Sequence, residues 1–147
     1  MKPPFVLDTS ALLAHFGGEP GHEDVEHVLE AFPAKVSVCA VTWLELEVRL
    51  KELLPEAVDQ GLALEIYGHL VAATLPVTRE VAQRAFELRS RCRGRLPNSD
   101  ALIAATASLA GACLIHRDPH FEGIPVRLLR QHRLADKHPG PVRRTQT

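Results

Sequence analysis

The feature that most constrains this chain is the recurrence of short, apolar, β-branched-rich runs separated by much longer segments of helical periodicity. The runs are "FVL" at 5–7, "KVSVC" at 35–39, "TLPV" at 74–77 and "CLIH" at 113–116. This alternation predicts an α/β fold, a parallel sheet flanked by helices. Helices are expected over 9–16, 21–31, 42–54, 56–72, 78–93 and 99–110, with Pro20, Pro55 and Pro97 at or near helix starts, where a missing N–H is tolerated. With 147 residues, 46% of them hydrophobic, the chain suits one domain with a sizeable core. That domain is expected over 1–130. Residues 131–147, ending in "ADKHPGPVRRTQT", are expected to form a basic, flexible tail.

No apolar run approaches the roughly 18–20 residues of a membrane span, so no membrane contact and a cytoplasmic setting are expected. Cys39, Cys92 and Cys113 are scattered without metal-ligand spacing, and three thiols make no disulfide framework. The net charge of −1 advertises no global field for nucleic acid, which leaves local patches.

Four carboxylates occupy equivalent places in this scheme. Asp8 ends the first strand, Glu45 follows the second, Asp100 opens an apolar helix, and Asp118 follows the last expected strand. In an open α/β sheet such positions converge on the crevice at the carboxyl edge. Two unit charges about 4 Å apart repel by roughly 4 kcal/mol at an effective dielectric of 20, so a convergence of acids calls for a cation. Oxygen ligands suit Mg²⁺ or Mn²⁺ rather than zinc. An ion held this way activates water and neutralises phosphoryl charge, which is nuclease chemistry. Each acid also has a purely structural reading. Asp8 suits a helix N-cap, Thr42 and Glu45 have capping-box spacing, Asp100 complements a helix N-terminus, and Asp118 precedes a proline as turn residues often do.

The segments "VLDTSALL", "VTWLEL", "DALIAATA" and "LIHRDPHF", in this order, resemble the four signature segments of PIN-domain ribonucleases, most closely the VapC-type toxins of bacterial toxin–antitoxin pairs. The resemblance runs from about residue 5 to residue 126. It implies a three-layer sandwich with a central parallel sheet of four to five strands. It also implies metal-dependent endoribonuclease activity, with Asp8, Glu45, Asp100 and Asp118 as catalytic and metal-binding residues for Mg²⁺ or Mn²⁺ and Ser10 as a supporting hydroxyl. The implied partners are an RNA substrate, a VapB-like antitoxin and a second copy of the chain in a homodimer. The alternative is a PIN-like module that binds RNA or protein with little or no catalysis.

The chain departs from the family pattern at His116 and His120. Alternate residues of an extended segment share a face, so His116, Asp118 and His120 are expected to point the same way, unless Pro119 interrupts. A histidine there joins the metal shell, donates a proton or makes a supporting hydrogen bond; His116 is taken as supporting. Glu47, two residues past Glu45, falls on the opposite helix face.

Arginines 79, 84, 89, 91, 93 and 95 form a local positive field against Glu80 and Glu87. Arg84, Arg91, Arg93 and Arg95 are candidate RNA contacts, since guanidinium groups pair with phosphates regardless of sequence. Acids cluster instead in "GGEPGHEDVEHVLEAF", which reads first as a solvated acidic face and, in the alternative, as a helix whose Val25, Val28, Leu29 and Phe32 border a groove for a basic antitoxin segment.

Overall fold

The computed structural model describes residues 1–137. Five parallel strands form one sheet in the order β3-β2-β1-β4-β5, where β1 is Phe5–Leu7, β2 Val36–Cys39, β3 Ala73–Leu75, β4 Cys113–His116 and β5 Arg130–Arg133. Helices α1 (Thr9–Phe16) and α2 (His22–Ala31) connect β1 to β2. Helices α3 (Ala40–Leu53) and α4 (Ala57–Leu70) connect β2 to β3, and α5 (Arg79–Arg91) and α6 (Asn98–Leu109) connect β3 to β4.

Strand β1 is central and wholly buried, as expected of a strand covered on both faces. Its side chains alternate between two cores. Phe5 and Leu7 pack with α1, α2 and α3, while Val6 packs with α5 and α6. Helix α6 presents small buried residues, Ala101, Ala104, Ala105 and Ala107, which let it lie close to the sheet. Because β2 and β3 extend the sheet to one side of β1 and β4 lies on the other, strand order reverses between β1 and β4. The crevice for a ligand opens at the carboxyl ends of those two strands.

Three expectations are corrected. Helix α3 begins at Ala40, so Thr42 lies inside its first turn with its hydroxyl buried and unpaired, and the capping box with Glu45 does not form. The strand "CLIH" is not the last: β5 follows it, and Leu134 beyond β5 is 2% exposed. The boundary expected at residue 130 therefore cuts through a strand of the sheet. Residues 138–147, the rest of the expected tail, lie outside the described residues. On α2, Val25, Val28 and Leu29 face the core, so they border no groove.

A 3-10 turn at Pro119–Gly123 follows β4 and rests against the segment that joins α5 to α6. The Arg93 N–H donates to the Gly123 carbonyl at 2.9 Å. A Cβ on Gly123 would come within 1.9 Å of the Arg93 carbonyl oxygen and 2.9 Å of Cys92 Sγ. Neither backbone can yield without losing this contact. Gly123→Ala is expected to lower the unfolding free energy by about 2 kcal/mol or more, measured by urea denaturation; unchanged stability would show that the two segments are not held together here.

Candidate metal centre

Asp8 follows β1 directly and caps α1, with one carboxylate oxygen accepting the Ala11 N–H at 2.8 Å. Its own N–H donates to the Ile115 carbonyl at 3.1 Å, which continues the β1–β4 ladder one residue past the strand. The Ser10 hydroxyl donates to both Asp8 oxygens, at 2.7 and 2.8 Å, and accepts the Arg117 N–H at 2.9 Å. Ser10 thus ties the end of β1 to the end of β4 through the carboxylate it supports.

The other acids arrive from three further elements. Asp100 lies in the first turn of α6, and Glu45 in the second turn of α3. The Thr9 hydroxyl donates to Glu45 Oε1 at 2.8 Å and so fixes that carboxylate against α1. Asp118 caps the 3-10 turn and accepts the His120 N–H at 2.9 Å. Asp8, Ser10, Glu45, Asp100 and Asp118 line one cavity of about 440 Å³ with Arg49 at its side.

Gathering acids this way distorts their ionisation. Burial pushes the Asp8 carboxyl up to about 7; its hydrogen bonds from Ser10 and Ala11 oppose this, and the charges of Asp118 and Asp100 add to it. Asp100 is pushed up to about 6, first by burial and then by Asp118 and Glu45, with His120 acting against. A divalent ion among these oxygens would favour their charged form and oppose the effect of burial. Oxygen donors from Asp100 and Asp118 and a ring nitrogen of His120 all lie within 4.8 Å of one another. The donor set fits a small divalent ion.

The family model of the PIN domain matches residues 5–126. The chain belongs to the PIN-domain family. Among solved structures similar to this PIN domain is a toxin–antitoxin complex from Klebsiella pneumoniae, 28% identical with a TM-score of 0.64 over 82% of this chain and 92% of that one. VapBC-5 from Mycobacterium tuberculosis, a member of the VapBC family of toxin–antitoxin systems, is 25% identical with a TM-score of 0.64 over 90% of this chain and 100% of that one. VapC20 of Mycobacterium tuberculosis, a toxin that cleaves the sarcin–ricin loop, shares the fold at 19% identity and a TM-score of 0.64, over 82% of this chain and 96% of that one. Among curated proteins no match is found.

Within this PIN domain the two histidines part company. His116 is fully buried. Its Nδ1 accepts the Asp118 N–H at 3.1 Å and its Nε2 meets Gln131 Oε1 at 2.8 Å, while Gln131 Nε2 donates to the Phe121 carbonyl at 3.0 Å. These partners require a neutral ring with the proton on Nε2. Burial also pushes the His116 pKa down. His116 therefore supports Asp118 through the backbone. His120 is the histidine that faces the cavity's acids, because the turn at Pro119 breaks the strand-like alternation expected across 116–120.

The candidate RNA contacts are not brought to the cavity. Arg84 donates to Ser108 Oγ at 3.0 Å, eight residues and roughly 12 Å along α6 from Asp100, and Arg91 approaches Glu87 at 3.9 Å. Arg93 and Arg95 are exposed on the segment leading into α6. The basic group lining the cavity is Arg49, which sequence reasoning passed over. Its signal was available, since it stands four residues after Glu45 on the same helix face. Thr9, which holds Glu45, was passed over too.

The raised carboxyls set a pH dependence. A carboxyl whose native pKa exceeds its unfolded one stabilises the fold fully below the unfolded value, and that contribution is lost as pH rises through the native value. Without divalent ions, stability is expected to fall between about pH 4 and about pH 7, the native value of Asp8, with Asp100 contributing in the same direction toward about 6. Asp8→Asn is expected to reduce this total loss of stability by on the order of 2–4 kcal/mol, measured by urea unfolding across that range in a chelator. Identical slopes in both proteins would contradict the burial of Asp8 as a proton-retaining group.

Proposed function

We propose that this PIN domain is a Mg²⁺- or Mn²⁺-dependent endoribonuclease and the toxin of a toxin–antitoxin pair. The observation that carries the reading is the convergence of Asp8, Glu45, Asp100 and Asp118 on one cavity from four separate elements. Family membership and the likeness to toxin–antitoxin complexes support it.

Asp8, Glu45, Asp100 and Asp118 hold the metal in this reading. When bound, the ion supplies Lewis-acid stabilisation of the charge that develops on the phosphoryl group. The chain's own residues do the rest. Ser10 and Thr9 fix the rotamers of Asp8 and Glu45, so neither has to be ordered when substrate arrives. His116 holds the Asp118 backbone from behind. Arg49, at the cavity's side next to exposed Leu44 and Val48, is held by Glu52 at 2.6 Å on the same helix, and an RNA phosphate would share or displace that exposed partner. The reaction in this reading is hydrolysis: water attacks phosphorus, the P–O3′ bond breaks, and a proton from the water ends on the departing 3′ oxygen, leaving a 5′ phosphate and a 3′ hydroxyl.

The partners in this reading are RNA, a VapB-like antitoxin and a second copy of the chain. Exposed apolar side chains available to protein partners include Phe16, Leu62 and Ile66 on α1 and α4. No described helix is long and apolar enough to cross a membrane, and a toxin acting on cellular RNA works in the cytoplasm.

RNA cleavage by the purified protein is expected to require Mg²⁺ or Mn²⁺ and to fall at least roughly 100-fold in Asp8→Asn and Asp100→Asn. Both variants should remain folded by circular dichroism. Undiminished cleavage by either variant, or in excess chelator, would reject the proposal. RNA binding without cleavage by the wild type would leave the non-catalytic module instead. Arg49→Ala is expected to weaken RNA binding about tenfold in a filter-binding titration without changing metal affinity; no change in RNA binding would remove Arg49 from the substrate path.

A further inference from the structure

We infer that His120 is a direct ligand of the divalent ion, alongside Asp100 and Asp118, and that its imidazole tilts the site toward Mn²⁺ over Mg²⁺. The inference rests on the metal-centre reading and deepens it. His120 Nδ1 lies 3.0 Å from Asp118 Oδ1 and 3.3 Å from Asp100 Oδ2. Around an octahedral ion with ligands at about 2.1 Å, neighbouring donor atoms stand about 3 Å apart, so these separations match the edges of one coordination polyhedron. The three donors come from two elements, the start of α6 and the turn after β4.

The ring is placed there by the backbone despite being 42% exposed. Pro119 fixes φ at the first position of the turn. The His120 N–H returns to the Asp118 carboxylate, which folds residue 120 back over residue 118. The next residue, Phe121, is fully buried and packs against the His116 ring at a centroid distance of 4.8 Å. The Gly123–Arg93 contact holds the far end of the turn. His116 cannot serve in its place, because both its ring nitrogens are already committed.

An imidazole changes what the site selects. Mg²⁺ prefers oxygen donors and keeps its waters, whereas Mn²⁺ accepts a nitrogen donor more readily. The rival account makes His120 only a cationic partner of the two acids. Under that account, removing it strengthens binding of both metals alike, because a competing positive charge is lost.

Calorimetric titration of the full chain with Mn²⁺ and with Mg²⁺ separates these accounts, using wild type, His120→Ala and His120→Asp. The expected result is a Mn²⁺ affinity about tenfold lower in His120→Ala, with Mg²⁺ affinity much less affected. In His120→Asp, Mg²⁺ binding is retained and the Mn²⁺-to-Mg²⁺ preference falls by a similar factor. In the Co²⁺-loaded wild type, proton NMR in water is expected to show a hyperfine-shifted, exchangeable imidazole N–H that His120→Ala lacks. An unchanged Mn²⁺-to-Mg²⁺ ratio in both variants, a parallel rise for both metals in His120→Ala, or the same shifted N–H in His120→Ala overturns the inference and leaves the acid site intact. Failure of the wild type to bind either metal overturns the metal-centre reading itself.

Discussion

The pairing of β1 with β4 joins segments 107 residues apart at Ser10 and Arg117, and the arrangement of the acids depends on it. Those two strands flank the point where strand order reverses, so no connecting loop covers their carboxyl ends. Both strands end in acid-bearing segments. The Asp8 N–H completes the ladder to Ile115, and the Ser10 hydroxyl spans from the Asp8 carboxylate to the backbone beyond β4. A carboxylate placed by a strand and a helix cap at once has little freedom to relax away from its neighbours.

The helix cap and the acid cavity share Asp8. Sequence reasoning sets the cap and the site against each other, but the residue accepts the Ala11 N–H and lines the cavity together. Where the start of a helix coincides with the edge of the sheet, one carboxylate serves both ends. The runs of β1, β2 and β4 and the six helices were legible because burial imposes period on sequence. Strand β5, "RQHR", was not legible by that signal, since a half-exposed marginal strand carries no apolar run. The capping box at Thr42 and Glu45 was a coincidence of spacing, because α3 starts two residues ahead of Thr42.

The site was legible in its acids and less so in its surroundings. Carboxylates after strands announce themselves by position, whereas His116 and His120 are sorted only by how a proline turn rotates the chain. Neither Thr9 nor Arg49 belongs to a pattern that periodicity exposes, and each becomes visible once α1 and α3 are seen to share the cavity. The arginine-rich stretch shows the reverse failure. Its charges are dense in sequence, yet Arg84 and Arg91 are engaged with Ser108 and Glu87 on α5 and α6. Linear charge density says little about which side of a helix a charge occupies.

The two margins of the sheet carry a consequence for assembly. At one, β3 is three residues long and is followed at once by Pro76, which has no amide hydrogen to offer a visiting strand. At the other, β5 carries Arg130 and Arg133, both exposed, with Arg133 paired to Glu122 and Asp136. Short length, proline and fixed charge are the devices by which sheets refuse edge-to-edge extension. Neither margin invites a strand from another chain. Among the described residues, the surfaces open to another chain are therefore the outer faces of the helices rather than the edges of the sheet.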